Sequence, residues 1–356
     1  MTEKPNLCRI VAEIGTAHGG SRDKARRLIG AAAETGADTV KFQWVIAREI
    51  LHPRAGSLDL PGGSIPLYQR FLELEQPPEF YTFLKEECER AGVGFLCSPF
   101  GLESLAGLRA LGVREVKIAS PELNHLPLLE EARCFDGVIL SSGVSTLGDM
   151  EEAVAVTGDS TVILHCVTRY PAPEEEYNLN LLPHLAAVLG VATGVSDHSL
   201  NPVLVPALTA ALGGVMVEKH FTLSKTGGGL DDPIALGPEE FTTLVQAVRR
   251  AEREGREETI RRLSAGFGEA RVRAVLGSGK KVLAPSEAPY YDTTNRSIMA
   301  LEDIAPGEPV SRENSALLRS ETNLTPGLPP RFWPLVLGRR AQKKIPSGEG
   351  ITWEAL

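Results

Sequence analysis

The chain has 356 residues, of which 42% are hydrophobic, 23% charged and only 6% aromatic, with 37 Lys and Arg against 46 Asp and Glu and a formal net charge of -9. A chain this long can bury a full core in one domain or two, since domains commonly run to roughly 100–200 residues, and its apolar content excludes disorder. No stretch approaches the ~18–20 consecutive apolar residues of a membrane span, and the acidic balance argues against nucleic acid or an anionic membrane as partner while leaving open a small anionic substrate.

Met1 to Arg9 is polar with no apolar signal core behind it, so a soluble, cytoplasmic protein is expected. From residue 9 to residue 253 short β-branched runs alternate with amphipathic stretches. The expected strands are Arg9–Ile14, Asp38–Gln43, Gly94–Cys97, Val113–Ala119, Gly137–Ser142, Thr161–Cys166, Ala192–Ser196 and Val215–Lys219. Expected helices between them include Ser21–Glu34, Pro78–Ala91, Leu102–Leu111, Leu147–Val156 and Pro238–Glu254, with Ser21 as an N-cap and Gly36, Gly92 and Gly112 where helices end. Runs such as Val138-Ile139-Leu140 lack polar alternation, as parallel strands covered on both faces do. Eight β/α units in about 250 residues predict an α/β chain folded as a (β/α)8 TIM barrel, with a doubly wound sheet as the alternative.

Trp44 to Gln76 is too long for an ordinary βα loop and carries Pro53, Gly56, Pro61, Gly62 and Gly63, which predicts a loop covering a site or an interface. Beyond a charged helical segment, Gly277 to Pro289 reads as a linker, and after Tyr290 the texture changes to short strands and turns. The expected division is a barrel over residues 1–276, a linker over 277–289 and a small β-rich domain over 290–356. The last segment holds eight basic and eight acidic residues, so the whole acidic excess lies before it.

In such a barrel the active site gathers at the C-terminal ends of the strands. Polar residues cluster there: Glu13; Lys41 and Gln43; Ser98; Lys117, Ser120 and Glu122; Ser141 and Ser142; His165, Thr168 and Tyr170; Ser196, Asp197 and His198; Glu218, Lys219 and His220. A purely structural barrel has no need of charge at nearly every strand end. His198 and His220, from neighbouring strands, can share a divalent metal, or one of them can be a hydrogen-bonded core histidine. Lys41 and Lys117 with nearby hydroxyls suit a phosphate-plus-carboxylate ligand, or one of them a Schiff base. His18, beside Gly19-Gly20, reads as support for its loop, and Gly227-Gly228-Gly229 as a flexible approach to Asp231-Asp232. Five cysteines without a CxxC pair suggest neither a disulfide framework nor a zinc ribbon.

These segments resemble those of the sialic acid synthases, in the family's order. They are Glu13-Ile14-Gly15 with His18, Val40-Lys41-Phe42-Gln43, Ser98-Pro99-Phe100, Lys117-Ile118-Ala119-Ser120, Tyr170-Pro171, Ser196-Asp197-His198 and Glu218-Lys219-His220-Phe221-Thr222. Arg296-Ser297 to Pro306-Gly307-Glu308 resembles the family's C-terminal antifreeze-like (SAF) domain. The resemblance implies condensation of phosphoenolpyruvate with N-acetylmannosamine or a related N-acetylated hexose, giving N-acetylneuraminate or a related nonulosonic acid and phosphate. It implies a divalent metal, Mn2+ or Mg2+, on His198 and His220 with Glu218 nearby, and donor contacts from Lys41, Ser98, Lys117, Ser120, Thr168, Tyr170 and Ser196. Glu13, Glu122 and Lys117 form the implied catalytic set, the two glutamates serving substrate contact and proton transfer. Gln43 and Asp231 would meet sugar hydroxyls and Arg319 the N-acetyl group. The antifreeze-like domain would cap the partner's barrel in a domain-swapped homodimer.

The departures from the family pattern gather where the sugar should bind. Gly227 to Asp231 replaces a loop with an arginine and two prolines, which predicts a looser loop, and Arg319-Ser320-Glu321 replaces Arg-Pro-Gly, adding a carboxylate beside the sugar-facing arginine. Two further departures, Ala17 and Pro121 in place of an Asn and a Gly, fall outside that sugar region. A legionaminate- or pseudaminate-type product or a phosphorylated acceptor is therefore the alternative within the class. A Schiff-base aldolase and a non-catalytic sugar-binding protein are the alternatives outside it.

Overall fold

The computed structural model describes residues 7–60 and 63–356, so Met1–Asn6 and the expected turn residues Pro61 and Gly62 lie outside the described residues. Eight parallel strands form one sheet: Arg9–Gly15 (β1), Thr39–Trp44 (β2), Gly94–Pro99 (β3), Glu115–Ile118 (β4), Gly137–Ser141 (β5), Thr161–Cys166 (β6), Ala192–Asp197 (β7) and Met216–His220 (β8). The hydrogen-bonded order is β3-β2-β1-β8-β7-β6-β5-β4. β3 and β4 touch without a ladder, so the barrel is nearly closed. This is the TIM-like architecture expected, and the doubly wound alternative falls because β1 pairs with β8.

Local chemistry sets the helix limits much as expected. The Ser21 hydroxyl accepts the Lys24 amide at 3.2 Å and starts Arg22–Glu34. Gly36, Gly92 and Gly112 follow helix ends at positive φ, where a side chain would be strained. The long loop after β2 differs from a plain connection. It folds into a short helix, Ala47–Ile50, a two-stranded hairpin pairing Ser57–Leu60 with Gly63–Pro66, and a helix Leu67–Leu72. The last barrel helix, Pro238–Phe267, is broken at Gly255, whose φ of 75° is not helical.

Inside the barrel Val11, Leu96, Ile139, Leu164 and Met216 form an apolar plug. Side chains alternate along a strand, so the residue two further on faces the same interior one step higher. Those residues are Glu13, Ser98, Ser141, Cys166 and Glu218. The plug thus becomes the floor of a polar mouth. Gly194 on β7 allows this packing, because a Cβ there would press on the Met216 carbonyl and Leu164.

After the helix Glu269–Leu276 the chain crosses the barrel's top as a strap and enters the C-terminal domain, where Arg296–Ala300 pairs antiparallel with Ser315–Arg319. Asn178 and Glu287 hold the strap: Asn178 binds the Gly279 amide and the Lys280 carbonyl, and Glu287 accepts the amides of Val144 and Thr168 at 3.0 and 2.8 Å. The C-terminal domain has its own core around Ile298, Ile304, Val336 and Ile351. A second cluster joins it to the barrel, with Val45, Ile50, Leu51 and Phe100 meeting Met299, Leu318 and Leu324. No helix of the described residues is long and apolar enough to cross a membrane.

Candidate active site

A cavity of about 250 Å³ opens at the C-terminal ends of the strands. Most of the residues expected from sequence line it: Glu13, Lys41, Gln43, Lys117, Ser120, Thr168, Tyr170, Ser196, His198, Glu218, His220 and Arg319. Ala119, Pro121, Ser141, Cys166, Thr294 and Glu321 complete the wall. Ser98, Glu122 and Asp231 stand outside this lining. Ser98 is fully buried and accepts a hydrogen bond from Lys41 at 3.3 Å, so it supports the lysine.

Charges alternate across the floor. Lys41 Nζ lies 3.0 Å from Glu13 and 3.5 Å from Glu218, and Lys117 Nζ lies 3.8 Å from Glu218. Lys117 donates to the Ser141 hydroxyl at 2.5 Å and to the Ile118 carbonyl at 3.2 Å. Burial pushes the Lys117 ammonium below its ordinary range. Burial acts on Lys41 in the same sense, but Glu13 and Glu218 outweigh it and hold that lysine above its ordinary value. Burial would raise the Glu218 carboxyl, yet Lys117, Lys41 and a hydrogen bond from Ser196 bring it down to about 2. Gln43 donates to Glu13 at 2.8 Å.

The two histidines face the cavity together, with ring centres 5.5 Å apart. Burial lowers the pKa of both, which favours the neutral imidazole. His198 sets Nδ1 on the Val167 carbonyl at 2.9 Å, which fixes its ring and leaves Nε2 toward the cavity, 3.3 Å from the Tyr170 hydroxyl. Tyr170 stacks on the His198 ring at 4.2 Å. Asp231 lies 3.8 Å from His220 Nδ1. Two neutral, oriented imidazoles with one outer nitrogen on a carbonyl fit a metal's requirements. Among the described residues no set of three His, Cys, Asp or Glu side chains stands in metal-holding geometry, so the protein alone provides an open pair.

The loops that follow β4, β5 and β6 are locked to one another. The Gly143 amide donates to Ser120 at 3.0 Å, and a Cβ on Gly143 would collide with the Thr168 hydroxyl. The Gly227–Gly229 turn wraps the buried Asp232 carboxylate, which accepts the Gly229 amide at 2.8 Å. His18, buried against Phe80, accepts the Gly20 amide at 3.1 Å and supports its loop as expected. His165 binds the Tyr177 carbonyl at 2.8 Å, away from the cavity. Asp197 and Lys219 stand at strand ends but point outward, into a fully buried ion pair of 2.7 Å.

Glu122 departs most from the sequence expectation. It is fully buried, and its Oε1 accepts from Arg296 at 2.7 Å and from Arg319 at 2.5 Å. Arg296, itself fully buried, also donates to the carbonyls of Phe100, Ile50 and Leu317. Both arginines belong to the C-terminal domain, so Glu122 is the barrel's half of a clasp rather than part of the cavity wall. Arg319 here reaches the mouth of its own chain's barrel, where the resemblance implies the partner's.

The NeuB family model matches residues 28–259 and the SAF domain model residues 295–356. The spore coat polysaccharide biosynthesis protein SpsE of Bacillus subtilis is 35% identical over 353 residues, which are 97% of this chain and 92% of that protein. The N,N'-diacetyllegionaminic acid synthase of Legionella pneumophila is 31% identical over 360 residues, 98% and 94% of the two chains. The crystal structure of Bacillus subtilis SpsE superposes with a TM-score of 0.83 at 34% identity, covering 98% of this chain and 95% of that one. That of a sialic acid synthetase from Leptospira borgpetersenii, in complex with citrate, gives 0.63 at 29% identity over 71% and 88%.

Proposed function

The chain belongs to the NeuB family, and from that premise we propose that it condenses phosphoenolpyruvate with an N-acetylated hexosamine to a nonulosonic acid. The enol carbon of the donor joins the sugar's aldehyde carbon, water adds at C2, and phosphate leaves. The observation that carries the reading is one cavity holding two buried lysines and two neutral imidazoles, an anion seat beside a carbonyl-activating pair. The activity for which relatives such as the Legionella synthase are named points the same way.

Lys41 and Lys117, with Ser120, Thr168, Tyr170 and Ser196, would seat the donor's phosphate and carboxylate, and Ser98 would hold Lys41 in place. His198 and His220 would hold a divalent ion, Mn2+ or Mg2+, with Glu218 nearby. Such an ion, when bound, polarises an aldehyde oxygen and stabilises the alkoxide that develops on it. Glu13, held between Gln43 and Lys41, would take a proton from the attacking water. Gln43, Asp231 and Arg319 would bind the sugar. Glu122 would act through Arg319, as a positioning residue.

Residues 1–276, 277–289 and 290–356 would be barrel, strap and cap. A homodimer exchanging caps would make the same clasp between chains. Five free cysteines, four of them buried, accord with a reducing cytoplasm. The test is phosphate and 3-deoxy-ulosonate release from phosphoenolpyruvate, Mn2+ and a panel of N-acetylated hexosamines. Release with none of them refutes the proposal. A pyruvate adduct trapped on Lys117 or Lys41 by borohydride would favour the Schiff-base alternative, which the low-lying Lys117 keeps in view.

A further inference from the structure

Val144, in the loop after β5, is fully buried and has a φ of 44°. A β-branched residue rarely enters that left-handed region, and such strain persists only where the surroundings over-determine it. Here they do. The Val144 amide donates to Glu287 Oε2 at 3.0 Å, and its carbonyl accepts from Asn295 Nδ2 at 2.9 Å. One residue of the strap and one at the start of the C-terminal domain thus grip a single residue of the barrel from both sides. Glu287, itself buried, spends its carboxylate on amides of three segments: Val144 after β5, Thr168 after β6 and, at 3.4 Å, Ala284 of its own strap. A buried carboxyl group is costly without partners, and these bonds last only while the three segments stay together.

The grip bears on one end of the cavity. Gly143, the neighbour of Val144, donates its amide to Ser120 Oγ at 3.0 Å and lies so close to Thr168 that a Cβ would collide with its hydroxyl. Ser120 and Thr168 both line the cavity, and among the described residues the buried Thr168 Oγ1 has no hydrogen-bond partner, which leaves it for a ligand. If Val144 relaxed to negative φ, the Gly143 amide would swing off Ser120 and both hydroxyls would lose their setting. Asn124 exchanges two hydrogen bonds with the Arg296 backbone, at 2.9 and 3.1 Å, so Asn295 is anchored to the barrel independently of the Glu122 clasp.

Resting on the synthase reading above, we propose that Glu287 and Asn295 are positioning residues for the donor seat. They hold Val144 in its strained conformation, and that conformation sets Ser120 and Thr168 for the donor's anionic groups. The experiment is a cycle of Asn295→Ala and Val144→Gly, read by calorimetric titration of phosphoenolpyruvate with Mn2+ present and by hydrogen exchange at the Gly143 amide. Asn295→Ala should weaken phosphoenolpyruvate binding about tenfold and speed the exchange, the order that strain at one residue is worth. Glycine is at ease at this φ, so in the Val144→Gly background Asn295→Ala should change binding by less than about threefold. Glu287→Gln keeps an accepting oxygen and should fall between the native protein and Glu287→Met. Val144→Gly should rescue Glu287→Met only in part, because the Thr168 amide stays released. Native affinity in Asn295→Ala, or equal losses in both backgrounds, overturns the assignment. A native protein that takes up no phosphoenolpyruvate refutes the synthase reading and the donor seat with it. Gly143 exchange unchanged by Asn295→Ala refutes the grip on Val144 alone.

Discussion

Replacing Glu122 by Gln separates a positioning role from a catalytic one. The native carboxylate oxygen is shared by Arg296 and Arg319, and neither Glu122 nor Arg296 is exposed. Removing one partner of a buried ion pair costs about 3–5 kcal/mol. The glutamine carbonyl still accepts one hydrogen bond and Arg296 keeps its backbone carbonyls, so the lower end, about 3 kcal/mol, is expected. At about 1.4 kcal/mol per tenfold, that is roughly a hundredfold in the ratio of docked to undocked cap. The apolar cluster of Phe100 with Met299 and Leu318 remains, so the variant should fold. Two of the three tryptophans, Trp333 and Trp353, lie in the cap, so urea-induced fluorescence change reads its docking. Kinetically, the acceptor KM should rise about tenfold or more as Arg319 loosens, while the KM for phosphoenolpyruvate stays within about twofold. Arg296→Met should weaken docking with a smaller effect on the acceptor, because Arg319 keeps Glu122. The reasoning is refuted if Glu122→Gln leaves docking and acceptor KM unchanged, or if kcat alone collapses with one limb of its pH profile. The latter would return Glu122 to proton transfer.

Three further outcomes are expected. His220→Ala should abolish metal-dependent turnover and EDTA should silence the native protein, with phosphate release as the readout; activity unaffected by either would place the metal elsewhere. Glu218 is held down to about 2 in the folded protein against ~4.3 in a free chain, so its contribution to stability is complete above ~4.3 and disappears as pH falls toward 2. Urea midpoints of the native protein and Glu218→Gln should therefore differ at pH 6 and converge near pH 2, and a constant gap would show that Lys41 and Lys117 do not hold it. Mixing inactive Lys41→Ala with inactive Arg319→Ala should restore activity if caps are exchanged between chains, since some sites then receive both native residues; no recovery after co-refolding would mean each chain caps itself.

The barrel was legible because its period is short: eight alternations of apolar run and helix, each ended by a glycine or a cap, leave few other architectures. The mouth was legible for a related reason, since parallel strands put all their C-terminal ends on one side. What misled was treating every strand-end polar residue alike. The alternation of side chains sorts them, with Glu218 and His220 facing in on β8 and Lys219 between them facing out to Asp197. That signal is in the sequence. Glu122 carries no such mark, because its meaning comes from Arg296, 174 residues away in the chain. The hairpin after β2 and the break at Gly255 were also hidden, the one in a polar stretch without clean alternation, the other in a segment with good helical composition on both sides.

Charge balance then bears on how an anion could be seated in so acidic a chain. The cavity wall carries Lys41, Lys117 and Arg319 against Glu13, Glu218 and Glu321, so it is neutral rather than cationic. Lys41 is already engaged by Glu13, Glu218 and Ser98, and Arg319 by Glu122. Lys117 is the least committed, with Glu218 no closer than 3.8 Å. A dianionic donor entering this wall repels Glu13 and Glu218 as strongly as the lysines attract it, unless positive charge is added on the side where His198 and His220 stand. Neutral imidazoles add none themselves. On the proposed reading the acidic network therefore does more than balance the lysines: tight binding of a dianionic donor would depend on a cation held by the histidines, while Glu13 and Glu218 keep Lys41 charged and in place.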